Sequence, residues 1–133
     1  MMIPSQRITY SGPLILSVTI ALALLVTVPA HAGGPPPNLT IVGERAYSDF
    51  GWSVAGVGDV NGDGYDDVAV GAPEYNPGIG YNRGKFYLYY GGPDGLDPIP
   101  AFTALGGTSS KFGYAVAGAG DVNNDGYGDV VVG

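Results

Sequence analysis

The sequence has 133 residues, with 24 Gly, 11 Pro, no Cys and a formal net charge of −7. That length suits one domain at most, the missing cysteines exclude a disulfide frame, and the acidic balance excludes a nucleic-acid binder, which must neutralise phosphates. Glycine far exceeds its usual share of about 7%, yet an apolar fraction of 45% with ten Tyr is too hydrophobic for a disordered chain, so a turn-rich all-β protein is the expected class.

In chain order, the first segment is a leader. Arg7 supplies a thin positive region, Leu14 to Val28 is an apolar run, and Ala30-His31-Ala32 is a small-x-small site. This is the layout of a secretory signal peptide over residues 1–32, with cleavage expected after Ala32. The competing reading is a membrane anchor. The apolar core is short for a span of about 20 residues, and Pro29 adjoins the small residues, so no membrane span is expected after cleavage. The expected location is secreted, extracellular or periplasmic. The remaining chain, residues 33–133, keeps four basic residues (Arg45, Arg83, Lys85, Lys111) against twelve acidic ones, 4 − 12 = −8, and has neither His nor Cys.

Beyond the leader the chain repeats itself. Phe50 to Gly71 and Phe112 to Gly133 align with sixteen of 22 positions identical, at a constant offset of 62. Such duplication implies modules that bury their faces against one another. Within one period, Trp52 to Val57 reads as a short strand, Asp59 to Asp67 as a loop, and Val68-Ala69-Val70 as a compact apolar strand. A long loop follows over Ala72 to Asn82, with Pro73, Pro77, Gly78 and Gly80. Lys85 to Tyr90 alternates, with Phe86, Leu88 and Tyr90 on one face and Tyr87 and Tyr89 on the other. Two apolar faces suit a strand in a sheet packed between two other sheets. Gly91-Gly92-Pro93-Asp94-Gly95 is a turn cluster. A fourth strand is expected near Ala101 to Leu105, with its counterpart one period earlier at Leu39 to Val42. Four strands in about 60 residues is the size of one β-propeller blade.

The chemistry sits in the loops. Asp59-x-Asn61-x-Asp63-Gly64-Tyr65-x-Asp67 recurs as Asp121-x-Asn123-x-Asp125-Gly126-Tyr127-x-Asp129. Oxygen side chains fall at positions 1, 3, 5 and 9, and the carbonyls of Tyr65 and Tyr127 add a donor at position 7. Calcium takes six to eight oxygen ligands, and Gly at position 6 permits the sharp turn that gathers them. The plain alternative is a solvated Asn/Asp-Gly turn between strands. Two copies in register, complete at each donor position, favour calcium. Asp66 lies outside the pattern, is Gly128 in the second copy, and reads as a surface residue. EF-hand and dockerin loops begin alike, but they need an acidic residue at position 12 and a following helix. Position 12 here is Val70 or Val132, leading into strand and breaker. RTX nonapeptide repeats have a far shorter period.

Phe50-Gly51, the loop, Val70-Gly71-Ala72-Pro73 and the Gly84-Lys-Phe-Tyr-Leu-Tyr89 strand together resemble the FG-GAP repeat of integrin α-chain propellers. Similar repeats occur in bacterial secreted proteins and in glycosylphosphatidylinositol-specific phospholipase D. The resemblance covers residues 39–133, as one repeat over about 39–99 and a truncated one over about 101–133. It implies a propeller, often seven-bladed, with calcium in the inter-strand loops held by Asp59, Asn61, Asp63, Tyr65 and Asp67 and their equivalents 62 residues on. The chain holds about one and a half four-stranded blades. A propeller needs at least four, so a fragment of a longer frame is expected, with neighbouring propeller blades as its first partners.

The residues left after leader removal exclude a Ser-His-Asp triad, a Cys-His pair and a His-ligated zinc site. Six of the twelve carboxylates occupy the loop positions, which leaves little for paired-carboxylate hydrolysis. No enzyme activity is expected of residues 33–133. The expected role is cell adhesion or binding of a protein ligand. The alternatives are an accessory propeller of a secreted, phospholipase-like hydrolase and a carbohydrate-binding module that takes a glycan ligand on Tyr75, Tyr81 and Trp52. Trp52 and Tyr114 share a repeat position, so packing between blades is the competing account of the Trp.

Overall fold

The computed structural model describes residues 7–10, 16–18, 25–26, 39–78 and 81–133, with side chains described from residue 39 onward. All regular structure in them is strand. Among the described residues no helix is long and apolar enough to cross a membrane. The expected cleavage site at Ala30–Ala32 lies outside the described residues.

Three sheets form. The first has the order β3-β2-β1-β4, from Leu25–Val26, Leu16–Val18, Arg7–Tyr10 and Leu39–Val42. Its first three strands fall in the segment read as a leader, and β1 pairs antiparallel with β4 through Ile8↔Ile41 and Thr9↔Thr40. Cleavage after Ala32 would detach those three strands and free the β4 edge. The second sheet is a complete four-stranded blade, β5-β6-β7-β8, from Ser53–Gly58, Asp67–Ala72, Lys85–Tyr89 and Phe102–Leu105. The third is the pair β9 (Val116–Gly120) and β10 (Asp129–Val132). All ladders are antiparallel. The all-β blade architecture expected from the repeat is therefore present. The strand expected at 68–70 is longer, because pairing with both β5 and β7 carries it out to Asp67 and Ala72.

The two-sided pattern of β7 explains the packing. The register Val68↔Tyr89 and Val70↔Tyr87 puts these four residues on one face, and Ala69↔Leu88 and Gly71↔Phe86 share the other. The first face buries Tyr87 and Tyr89 with Phe50, Val54, Val68, Val70 and Ile41 of β4. The second buries Phe86 and Leu88 with Val57, Ala69 and Val116 of β9. Every residue of β6 and β7 is buried, as a middle sheet between two neighbours requires. Full burial of a Val, Leu or Phe side chain among them is worth about 1.5–3 kcal/mol.

The joint between repeats is made by backbone. A Cβ on Gly71 would lie 1.8 Å from the Gly113 carbonyl oxygen. Gly113, from the second Phe-Gly pair, thus sits directly on Gly71 of the first Gly-Ala-Pro run. Gly71 also accepts the Gly51 N–H at 3.0 Å, so its carbonyl ties down its own repeat while its Cα receives the next. Val116 N–H donates to Ser53 Oγ at 3.0 Å and completes the seam between β5 and β9. Trp52 and Tyr114 do pack on one another across this joint, with ring centroids 5.4 Å apart.

Candidate metal centre

Asp59 to Asp66 connect β5 to β6, and a β-bulge at the base of this connection sets the aim of its last acidic residue. Pairing runs Gly56↔Val68 and then skips to Gly58↔Asp67, with Gly58 at φ +73°. The left-handed conformation is open to glycine without a Cβ penalty, and a bulge re-aims the side chain opposite it. The second repeat does the same with Gly120↔Asp129 and Gly120 at φ +72°.

The first loop closes on its own carboxylates. Asp59 Oδ1 accepts the N–H groups of Gly62 at 2.6 Å and Asp63 at 3.1 Å, and its Oδ2 accepts that of Gly64 at 2.8 Å. These bonds, Gly64's first, hold the Asp59 carboxyl below its ordinary pKa against the opposing effect of burial. Asn61 Oδ1 accepts Asp63 N–H, Asn61 Nδ2 donates to Asp63 Oδ2, and Asp63 Oδ1 accepts Tyr65 N–H. The second loop repeats the scheme. Asp121 accepts Asp125 and Gly126 N–H, Asn123 pairs with Asp125, and Asp125 accepts Tyr127 N–H. Asp129 Oδ2 accepts Val122 N–H at 2.8 Å.

Asp67 differs from the others by being fully buried, at 0% exposure. Its Oδ2 accepts Val60 N–H at 2.9 Å and its Oδ1 accepts Gly91 N–H at 2.8 Å. Burial pushes its pKa up, the two N–H groups pull it down, and the charges of Asp63 and Asp59 add to the rise. Asp67 thus feels the charges of the two loop carboxylates above it. Among the described residues the basic groups are engaged elsewhere. Lys85 Nζ is 2.7 Å from Glu44 Oε1 and Lys111 Nζ is 2.8 Å from Glu74 Oε1. Arg83 donates to the Gly106 carbonyl and Arg45 to the Pro77 carbonyl.

The structure thus brings Asp59, Asn61, Asp63 and Tyr65 into one hydrogen-bonded loop with Asp67 at its base, and likewise Asp121, Asn123, Asp125, Tyr127 and Asp129. Within each loop the carboxylates face backbone N–H groups. Among the described residues no three His, Cys, Asp or Glu side chains converge on a single point. By donor chemistry the loops still suit a hard cation, since each position expected to bind carries oxygen and, among the described residues, the charges lack a basic counterpart. Asp66 is half-buried, not a fully exposed residue, because its carbonyl lies against Gly91, 2.3 Å from where a Cβ would stand. The role of Gly91 as a partner of Asp67 was invisible in sequence. It lies 24 positions away in a glycine-rich turn, with no side chain to announce it.

Comparison with known proteins places these loops in context. Residues 50–89 match the family model described as FG-GAP repeat. Integrin alpha-IIb of Mus musculus is 37% identical over 99 residues, 73% of this chain and 9% of the relative. Integrin alpha pat-2 of Caenorhabditis briggsae is 39% identical over 118 residues, 84% of this chain and 9% of the relative. Integrin alpha-6 of Gallus gallus is 45% identical over 95 residues, 68% of this chain and 8% of the relative. The chain thus spans about a tenth of the length of the curated relatives it matches.

Proposed function

Since this chain is an FG-GAP repeat protein of the integrin-α-like kind, we propose that it is a secreted, calcium-binding propeller module that serves adhesion or the binding of a protein ligand, without catalysis. The observation that carries the calcium reading is the buried carboxylate of Asp67, raised in pKa by burial and by Asp63 and Asp59, in a loop whose charges no basic side chain meets among the described residues. A divalent cation removes that repulsion. Asp59, Asn61, Asp63 and Asp67 would hold it through side-chain oxygens and Tyr65 through its carbonyl, with Asp121, Asn123, Asp125, Tyr127 and Asp129 doing the same in the second repeat. The carboxylates must first release the N–H groups they now accept.

The ion's role is to staple a disulfide-free fold. A ligand that binds the folded state alone stabilises it by about 1.4 kcal/mol at ten times Kd and about 2.7 kcal/mol at a hundred times. Millimolar calcium against the affinities of about 10⁻⁴–10⁻³ M usual for extracellular modules lies near the lower figure. Non-catalysis is supported by the absence of His and Cys after residue 32. The ligand-binding reading is supported by an aromatic pair at the joint between repeats, Trp52 and Tyr114, which remain 47% and 54% exposed.

The test is thermal unfolding of the protein with calcium and then with excess EGTA. Chelation should lower the melting temperature, Asp63→Ala should cut the calcium-dependent increment to the share that the second loop supplies, and Asp66→Ala should keep it whole. An unchanged melting temperature on chelation would refute the staple and leave a plain turn. Turnover of an ester, phosphodiester or glycoside, lost on mutating one carboxylate of residues 33–133, would refute non-catalysis.

A further inference from the structure

The two loops touch each other, and the atoms that touch lie between the proposed ligands of both. Gly128 N–H donates to the Asp59 carbonyl at 2.7 Å. Asp59 is the first donor of loop one, and Gly128 lies between the last two donors of loop two, Tyr127 and Asp129. The Tyr127 ring lies on Gly62, where a Cβ would stand 2.5 Å from the ring edge. Gly62 sits at φ +80° between Asn61 and Asp63 and donates to Asp59 Oδ1. Gly128 is equally confined, since a Cβ there would lie 2.6 Å from the Val57 carbonyl oxygen.

Two departures from strict repetition acquire a reason here. Position 4 is Gly62 in the first loop and Asn124 in the second, and Asn124 also adopts a positive φ of 60°. Both residues tolerate the left-handed conformation, but the first must also leave room for the Tyr127 ring. Position 8 is Asp66 in the first loop and Gly128 in the second. At Gly128 the close approach of the Val57 and Asp59 carbonyls leaves no space for a side chain.

We propose that the first cation loop is completed by the second repeat: the Tyr127 ring and the Gly128 N–H are positioning residues that hold the main chain of the first loop, at Gly62 and at Asp59, in place while its carboxylates turn to an ion. This inference rests on the calcium reading above. The Asp59 carbonyl is anchored from outside its own loop, so its side chain turns toward an ion without dragging the main chain. The ring clamps the Gly62 segment and reduces the ordering that an incoming ion must impose, and ordering done in advance strengthens binding. Linkage makes the effect reciprocal, so an ion in the first loop fixes Tyr127 and Gly128 and favours an ion in the second. Charge works against this, because an ion in one loop weakens the field at the other. Between the exposed groups of the loops that opposing effect is screened over about 8 Å at physiological salt, and it is screened less at the buried Asp67, whereas the mechanical link is a direct hydrogen bond.

The experiment titrates calcium alone into the full chain by calorimetry. Asp125→Ala disables the second loop in every sample, so the heat reports on the first. Adding Tyr127→Ala, which keeps the main-chain carbonyl and alters no residue of the first loop, should weaken binding by about fivefold or more, the lower end of ordinary coupling. Adding Tyr127→Phe instead should restore the parent affinity, because the ring is kept. Equal affinity for Tyr127→Ala and its parent overturns the proposal and leaves the calcium reading intact. No binding by the wild-type protein overturns the calcium reading itself, and this inference with it. Should Tyr127→Ala fail to fold, hydrogen exchange on the Asp125→Ala protein decides. Calcium should slow exchange at the Gly128 amide, and an unchanged rate there overturns the proposal.

Discussion

Gly71→Ala tests whether consecutive repeats are joined backbone to backbone. The new methyl would lie 1.8 Å from the Gly113 oxygen, 2.8 Å from its carbonyl carbon and 3.1 Å from its Cα. Ordinary contact begins at 3.4 Å, so the shortfall at the oxygen is 3.4 − 1.8 = 1.6 Å. All three atoms that face the methyl are backbone, with no flexible side chain to give way, so the blades themselves must separate. That separation strains the Gly51 N–H bond to Gly71 and loosens the seam that buries Val57 and Val116. Forcing extra volume into a packed site costs about 1–3 kcal/mol. In a unit of about 60–100 residues each kcal/mol lowers the melting temperature by about 4–8 °C, so a fall of at least about 4 °C is expected. Gly107→Ala is the matched control, because a Cβ there meets nothing within 4 Å. Both variants and the wild type would be melted in the same calcium-containing buffer and followed by circular dichroism. A Gly71→Ala melting temperature equal to that of the wild type, or an equal loss from Gly107→Ala, would refute the backbone joint.

Tyr87→Phe should leave stability unchanged or raise it, by up to about 3 kcal/mol, because Tyr87 Oη is buried with no hydrogen-bond partner among the described residues; a clear loss in denaturant unfolding would show that the hydroxyl is satisfied after all. Tyr75→Phe, which deletes the 3.1 Å bond to Glu44 Oε2, should be the more harmful of the two. The Lys111 ammonium hydrogen-bonds Glu74 and holds its carboxyl below the ordinary value of 4.5, so the pair's contribution is present above pH 4.5 and lost as pH falls through the lower folded value. The stability gap between wild type and Lys111→Ala should therefore be small, since the pair is solvent-exposed, and should close on acidification; a gap that persists at low pH would contradict the pairing. Mass spectrometry of exported protein should find Gly33 at the N-terminus, and recovery of Met1 in a membrane fraction would exclude cleavage after Ala32.

Much of this molecule is written in its local sequence. The offset of 62 residues marked the repeat, and strict alternation from Lys85 to Tyr89 showed a strand buried on both faces, because side chains of a strand point to opposite sides by geometry alone. The oxygen-bearing positions from Asp59 to Asp67 were legible for the same reason: a loop's donors are consecutive in the chain. What the tertiary structure decided are the meetings between distant positions. Gly71 against Gly113, Asp67 against Gly91, Lys85 against Glu44 and Tyr127 against Gly62 each depend on how one sheet is set against the next. Three of these four involve glycines, whose contribution is to let another backbone or ring come close. A residue without a side chain carries no sign in sequence of what approaches it, and only the packed blades reveal why Asp66 became Gly128.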